Sequence, residues 1–206
     1  MTGHGGAVFT TPQLTVGRWT HRDAATLLDI YSRWEVARWL GAAPRPLTNT
    51  GEALLLADQW AARSRPDPTF GVWRVTVTGT GTAVGTVLLV PLRGGTAGEV
   101  EVGWHLHPDH WGNGYATEAA SGAIARGLAA GLPEVLAVVR PDNAASQAVC
   151  RRLGMRALGL SEQYYGTALE VFSAAADGAA ARHPIHEMDA GPAPPDLAPT
   201  ATSVMG

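Results

Sequence analysis

The chain has 206 residues, of which 46% are apolar and 16% charged, and its formal net charge is −3. This composition is typical of a globular domain, and the charge argues against nucleic-acid binding driven by overall charge. All 15 of the Lys and Arg residues are arginines, which excludes a P-loop lysine and a lysine Schiff base. The single cysteine, Cys150, excludes an intrachain disulfide.

Targeting signals are not expected in this sequence. The N-terminal stretch "MTGHGGAVFTTPQ" lacks a basic start followed by an apolar core, so we expect no signal peptide. No apolar run approaches the ~20 residues that span a bilayer. The sequence therefore predicts a cytoplasmic protein without a membrane partner.

Hydrophobic periodicity in the first half predicts helices followed by strands. A strand is expected at 14–20, a helix with a break in its middle at 21–41, and a second helix at 49–65. Three strand-like runs follow, and "GTGT" between the first two predicts a hairpin. These three runs cover 69–79, 81–92 and 98–108.

The second half predicts alternating strands and helices. We expect a helix at 115–131, a short strand at 134–140, a helix from Asp142 or Asn143 to Gly154, and a last strand at 167–175. The sum is an α+β domain. Its expected bounds are 10–175, with an N-terminal tail at 1–9 and an Ala- and Pro-rich, disordered tail at 176–206.

The stretch "HPDHWGNGYATEAA" (107–120) joins a predicted strand to a predicted helix. Gly112 and Gly114 would let an anion approach the bare backbone at a helix N-terminus. An ordinary glycine turn is the alternative. A dinucleotide-binding fold fits poorly, because Thr117 stands where that motif needs its third glycine. The pattern is compatible with pyrophosphate binding by main-chain groups alone.

Two longer motifs in order resemble the GNAT acetyltransferase superfamily, in particular its RimJ/RimL-like branch. They are "EVGWHLHPDHWGNGYATEA" (101–119) and "PDNAASQAVCRRLGM" (141–155). Trp111 stands at the arginine or glutamine position of the family's phosphate signature. The resemblance covers roughly residues 14–173.

The resemblance implies a GNAT fold with acetyl-CoA as donor and no metal. Its mixed, mostly antiparallel sheet would have six to seven strands, flanked by helices and splayed between the fourth and fifth strands. The coenzyme would contact the fourth strand, the glycine turn and the later helix. The implied binding residues are Trp104, His105, Leu106, Trp111, Gly112, Asn113, Gly114, Tyr115, Ala116, Thr117, Asn143 and Ser146.

Glu101 is the candidate general base, because a carboxylate on a strand lining the cleft would have a raised pKa. Glu99, two residues away, is the alternative. Asn143 and Ser146 would face the thioester, where Ser146 or a water would protonate the leaving thiolate. His105 is a weaker candidate base. A metal site at the clustered histidines is not expected, because no second ligand cluster is visible.

Many GNAT enzymes carry, at the position of Cys150, a tyrosine that protonates the leaving thiolate. We expect Cys150 to pack in the core instead. We expect the same of Trp34 and Trp39. The alternative implied by the resemblance is that they lie near a loop that shapes the acceptor pocket. The predicted function is transfer of acetyl from acetyl-CoA to a primary amine in a ternary complex. The acceptor is left open between a protein N-terminus and a small molecule, as is a homodimer. The alternative function is a non-catalytic acyl-CoA-binding module.

Overall fold

A computed structural model describes residues 6–41, 43–63, 67–95 and 98–175. The expected tail at 176–206 lies outside the described residues, as do residues 1–5 of the expected N-terminal tail. The strands are β1 (Ala7–Thr10), β2 (Leu14–Arg18), β3 (Gly71–Val77), β4 (Ala83–Pro91), β5 (Val100–Leu106), β6 (Glu134–Val139), β7 (Arg156–Ser161) and β8 (Leu169–Ala175). The α-helices are α1 (Ala24–Tyr31), α2 (Trp34–Ala37), α3 (Thr50–Arg63), α4 (Tyr115–Ala129) and α5 (Ala144–Arg152).

The described strands form one mixed sheet in the order β1-β2-β3-β4-β5-β6-β8-β7. All neighbours are antiparallel except β5 and β6, which run parallel because α4 connects them as a crossover. The predicted α+β class is confirmed. The sheet has eight strands where six to seven were expected, because β1 and β7 add an edge strand at either end.

Helices cover both faces of the sheet and create two cores. Ala119, Ala120 and Ala123 of α4 pack on one face, in a cluster that includes Val100 and Val102 of β5. The other cluster joins α1 and α3 to β3 and β4. Since side chains alternate along a strand, Glu101, Gly103 and His105 point to the α1 and α3 face.

The sheet opens between β5 and β6. The β4–β5 ladder has seven paired positions, from Gly85 with Leu106 to Pro91 with Val100. The β5–β6 ladder has a single pair, Glu101 with Leu136. The strands therefore diverge beyond Glu101, towards the C-terminal end of β5. These are the expected fourth and fifth strands, so the predicted splay is confirmed.

Local differences from the predicted elements have clear causes. The expected break in the helix at 21–41 lies at Arg33, whose extended backbone (φ −81°, ψ 123°) separates α1 from α2. The strand β7 was not predicted, because its residues are mostly exposed and show no alternation of apolar and polar side chains. The short strand β1 begins within the expected N-terminal tail and pairs with β2.

Candidate active site

The glycine turn leads directly into α4. Gly114 is the N-cap residue of this helix, and both it and Gly112 adopt left-handed backbone conformations, with φ of 80° and 79°. A Cβ added at either glycine would meet no atom within 4 Å. The first-turn N–H groups of a helix have no intrahelical partners. The turn therefore presents main-chain donors to open space, as an anion cradle requires.

The turn is held in place by side-chain hydrogen bonds. The Trp111 indole Nε1 donates to the Leu106 carbonyl at 2.8 Å, and the Asn113 amide donates to the carbonyls of His110 (3.1 Å) and Trp111 (3.2 Å). In the first turn of α4, the Thr117 hydroxyl accepts a hydrogen bond from Nε of Arg152 of α5 at 3.3 Å. A guanidinium thus lies beside the N-terminus of α4, where it adds positive charge to the helix dipole.

One edge of β5 is free to bind an extended ligand. Main-chain groups of a strand point alternately to its two neighbours, and the His107 N–H donates to the Val84 carbonyl beyond the end of β5 at 2.9 Å. Odd-numbered residues of β5 therefore pair with β4. The main-chain groups of Trp104 and the N–H of Leu106 point into the gap, while the main-chain groups of His105 point to β4. The Leu106 carbonyl already accepts the hydrogen bond of the Trp111 indole.

A cavity of about 580 Å³ joins the turn, the gap and the α1 and α3 face. It is lined by every predicted site residue except Asn113, whose amide turns back to the main chain. Glu99, the alternative base, does not line it. The predicted residues that line the cavity are Glu101, Trp104, His105, Leu106, Trp111, Gly112, Gly114, Tyr115, Ala116, Thr117, Asn143 and Ser146.

Glu101 lies at the point where β5 and β6 separate. Its side chain is buried, and Oε2 accepts a hydrogen bond from the Tyr165 hydroxyl at 2.5 Å. Burial raises the pKa of Glu101 to about 7, against the lowering effects of the Tyr165 hydrogen bond and of Arg93 and Arg63. A carboxyl group with this pKa can accept a proton near neutral pH.

His105 projects from the same face of β5 as Glu101. Its Nδ1 lies 3.1 Å from the Tyr31 hydroxyl, which donates to the Thr86 hydroxyl at 2.7 Å. Because that hydroxyl proton is used on Thr86, Nδ1 carries the hydrogen and donates to Tyr31. Burial lowers the pKa of His105 to about 4, so the ring is neutral at pH 7. Neutral His105 is a poorer proton acceptor than Glu101.

The start of α5 faces the cavity. Asn143 is buried and caps the helix, its Oδ1 accepting from the Ser146 N–H at 3.1 Å. Cys150 is fully buried in the α4-side core and does not line the cavity, so the expected core position is confirmed. Burial raises the pKa of its thiol to about 12, which leaves no thiolate at neutral pH.

The expectation that Trp34 and Trp39 pack in the core is wrong. Trp34 is 53% exposed, since the break between α1 and α2 turns it outward. Trp39 lines the cavity beneath the Arg38 guanidinium, which lies 4.1 Å from the ring centroid. The short α2 thus presents its flanks to solvent and to the cavity.

Sequence reasoning missed two cavity tyrosines, Tyr31 and Tyr165. Tyr31 falls in a run of helical spacing and has no local mark of a site residue. Tyr165 precedes Gly166 in the turn between β7 and β8, and its left-handed φ of 55° is the signal that the structure adds. The described residues contain no group of three or more His, Cys, Asp or Glu arranged to hold a metal ion. No helix in the described ranges is long and apolar enough to cross a membrane.

Comparison with known proteins decides the family. The model of the acetyltransferase (GNAT) domain matches residues 13–156, more than half of the chain. The chain belongs to the GNAT family. This confirms the family expected from the sequence, and the protein is an N-acetyltransferase that takes its acetyl group from acetyl-CoA. A curated relative, the uncharacterised N-acetyltransferase YoaA of Bacillus subtilis (strain 168), is 28% identical over 159 residues, which are 76% of this chain and 87% of YoaA.

Solved structures share the fold at lower identity. RimL, a ribosomal L7/L12 α-N-protein acetyltransferase solved with coenzyme A, has a TM-score of 0.70 and 13% identity over 84% of this chain and 99% of its own. The ribosomal-protein-S5-alanine acetyltransferase of Vibrio fischeri has a TM-score of 0.63 and 18% identity over 84% and 98%. The microcin C7 self-immunity acetyltransferase MccE, solved with acetyl-CoA and AMP, has a TM-score of 0.69 and 16% identity over 85% and 98%. These neighbours share the fold of this chain.

Proposed function

We propose that this GNAT enzyme acetylates a primary amine by direct attack on acetyl-CoA in a ternary complex. The observation that carries the proposal is the single cavity that joins the glycine turn, the free edge of β5 and the buried carboxyl group of Glu101. Donor and acceptor can meet in this space, so an acetylated enzyme intermediate is not needed. The buried, protonated Cys150 offers no competing nucleophile.

Acetyl-CoA is expected to bind along the turn and the gap. The N–H groups of residues 111–117 would hold the pyrophosphate, with Arg152 adding charge at the rim. The amides of the pantetheine arm would pair with the main-chain groups of Trp104 and with the N–H of Leu106, which face the gap. Because the main chain of His105 is turned to β4, we assign to His105 a side-chain role in the acceptor half of the cavity.

Glu101 is the proposed base. The amine nitrogen attacks the thioester carbonyl carbon, a C–N bond forms, and the C–S bond breaks to release the CoA thiolate. The amine loses one proton to Glu101, directly or through a water molecule. With a pKa of about 7, Glu101 is partly ionised at neutral pH and can accept this proton.

Ser146 is the proposed donor to the leaving thiolate. It lies in the first turn of α5, half-buried and facing the cavity, where Asn143 fixes the start of the helix. This position replaces the tyrosine that the family often carries where this chain has Cys150. Asn143 acts by holding the first turn beside the thioester.

Calorimetric titration with acetyl-CoA, with NADH as control, tests the binding step. Release of CoA thiol in the presence of a panel of primary amines tests transfer. We expect micromolar binding of acetyl-CoA, no binding of NADH, and thiol release that requires an amine. Binding without thiol release across the panel would favour the alternative, a non-catalytic acyl-CoA-binding module. No binding at all would overturn the coenzyme site itself.

A further inference from the structure

One end of the cavity, on the α1 and α3 face of the sheet, is lined by apolar side chains. Leu56 and Trp60 of α3, Leu88 of β4 and Leu47, which follows α2, all line it and are all buried. They belong to the core between the sheet and helices α1 and α3. A group of the acceptor that enters this end leaves water and contacts hydrocarbon, which favours an apolar group and penalises a charged one.

The polar groups around this end do not suit a second cation. The Tyr31 hydroxyl is engaged by Thr86 and His105. Arg45 lines the cavity, and its guanidinium pairs with Glu52 at 3.0 Å. Among the described lining residues the carboxylates are Glu101, which the reacting amine needs, and Glu35, which is exposed. A second ammonium placed among these apolar side chains would be buried without a carboxylate partner among the described lining residues.

We propose that the acceptor is a small primary amine that carries one apolar, ring-sized group and no second cation. The apolar group occupies the floor formed by Leu47, Leu56, Trp60 and Leu88, and the amine lies beside Glu101. This inference rests on the proposed function and narrows its acceptor. Polyamines and amino alcohols are poor substrates for the same physical reason, the unpaired polar group that they would bury.

Rate measurements with four different primary amines test this inference. With acetyl-CoA saturating, kcat/KM is measured for 2-phenylethylamine, ethanolamine, putrescine and a heptapeptide that begins with serine. We expect kcat/KM for 2-phenylethylamine to exceed that of each other amine at least about tenfold, because its ring is buried in the apolar floor. A faster reaction with any of the other three would overturn the inference and leave the proposed function standing. No thiol release with any amine would overturn both.

A substitution in the cavity wall gives a second test. Leu40 is half-buried and lines the cavity, whereas Leu160 on β7 is 59% exposed and lies away from it. Leu40→Asp should lower the kcat/KM ratio of 2-phenylethylamine to putrescine at least about tenfold, because it adds a carboxylate to the apolar wall. Leu160→Asp should leave this ratio unchanged. An unchanged ratio in Leu40→Asp would contradict the inference.

A different observation concerns Tyr165, in the turn between β7 and β8. Its hydroxyl donates to Oε2 of Glu101 across the sheet, and its ring lines the cavity. Tyr165 is the non-glycine residue with a positive φ among the described residues, at 55°, and Gly166 follows at 65°. A bulky residue in this conformation is an outlier that persists only where surrounding contacts hold it. Tyr164, buried beside it, donates to Glu99 at 3.3 Å.

We infer that Tyr165 is a positioning residue for the base. Its hydroxyl holds one carboxyl oxygen of Glu101 and leaves Oε1 for the amine or its water. The strained backbone conformation of Tyr165 places this hydroxyl beside Glu101. The charged and titratable groups that act on Glu101 are Tyr165 from this turn, Arg63 from α3 and Arg93 after β4.

Tyr165→Phe tests this role, with Tyr164→Phe as the matched control. The Tyr165 hydrogen bond lowers the pKa of Glu101, so its loss should move the acidic limb of the kcat/KM profile up by about one pH unit. We expect kcat to fall about tenfold and acetyl-CoA affinity to stay unchanged. Tyr164→Phe should leave the limb where it is. An unshifted limb in Tyr165→Phe, or an equal shift in the control, would overturn the role.

Discussion

Two side chains on one face of β5 respond to desolvation in opposite directions. Burial disfavours the charged form of any group, so it raises the pKa of Glu101 to about 7 and lowers that of His105 to about 4. At neutral pH the histidine is neutral and the glutamate is close to half-ionised. The same physical cause therefore makes Glu101 the proton acceptor and leaves His105 as a neutral hydrogen-bonding group.

Glu101→Gln removes the proposed base. We expect kcat to fall about 100-fold or more at pH 8, because a general base contributes at least that much, with acetyl-CoA affinity unchanged. In the wild type kcat/KM should fall as the pH drops below about 7, the pKa of Glu101. The variant should lack this limb, and a retained limb would show that another group accepts the proton.

The same substitution should change stability with pH. Glu101 has a folded-state pKa above its ordinary value of 4.5. Its burial therefore does not lower the free energy of unfolding below pH 4.5, and this free energy falls as the pH rises towards and through 7. Glu101→Gln escapes this cost and should be more stable than the wild type at pH 8, by up to about 3 kcal/mol. Urea unfolding at pH 5 and 8 measures the difference, which should shrink at pH 5. Equal stability at pH 8 would mean that Glu101 is not buried as described.

Cys150→Ala should preserve activity, because the thiol lies in the core outside the cavity. A loss of about 1 kcal/mol in unfolding free energy is expected from the removed buried atom. In the folded wild type a thiol reagent should label Cys150 slowly, and in denaturant it should label one thiol per chain. Complete loss of activity in a folded variant would contradict this assignment.

At the scale of elements, the strand–turn–helix unit from β5 to α4 builds the donor site. The strand supplies a free edge, the turn supplies two left-handed glycines, and the helix supplies its unpaired N–H groups. The Trp111 indole links the turn to the end of β5. The unit is prearranged before acetyl-CoA arrives, so binding does not have to order it.

Gly114→Ala tests the anion cradle. A Cβ at Gly114 would project into the space assigned to the pyrophosphate, where no protein atom lies within 4 Å. Gly131, after α4, has a similar φ of 93° and equally open space, so Gly131→Ala carries a comparable backbone cost of about 1–2 kcal/mol. We expect acetyl-CoA affinity to fall at least about tenfold in Gly114→Ala alone. Equal affinities in calorimetry would contradict the cradle.

At the scale of the whole molecule, the sheet is two antiparallel halves joined at one parallel contact. Glu101 and Leu136 form the only pair between β5 and β6 within the described sheet. A ligand that fills the gap would bridge the halves and bind the folded state alone. Ligand binding should therefore stabilise the whole domain by mass action.

Thermal unfolding with acetyl-CoA at about 100 times its dissociation constant tests whether acetyl-CoA binds the folded state alone. The expected stabilisation is about 2.7 kcal/mol, which corresponds to an increase in Tm of roughly 5–11 °C for a domain of this size. NADH at the same concentration should leave Tm unchanged. An equal increase with both ligands would indicate nonspecific nucleotide binding.

The sequence by itself determined the local features. The glycine turn, the start of α4 and the cap at Asn143 depend on contacts within a few residues, so their spacing alone predicted them. The turn and α5 motifs also predicted the family. Edge strands such as β7 were harder to predict, because an exposed edge strand has no buried face to impose alternation of apolar and polar residues.

Only the tertiary structure decided what surrounds the reacting groups. Tyr165 lies 64 residues from Glu101 and Tyr31 lies 74 residues from His105, and no local pattern connects such pairs. The sequence proposed Glu101 as a base, but its burial, its partner and the apolar floor of the cavity follow from how α1, α3 and the β7–β8 turn pack on the sheet. A pKa depends on desolvation and on neighbouring charges in space, so packing set the chemistry of residues that the sequence could only name.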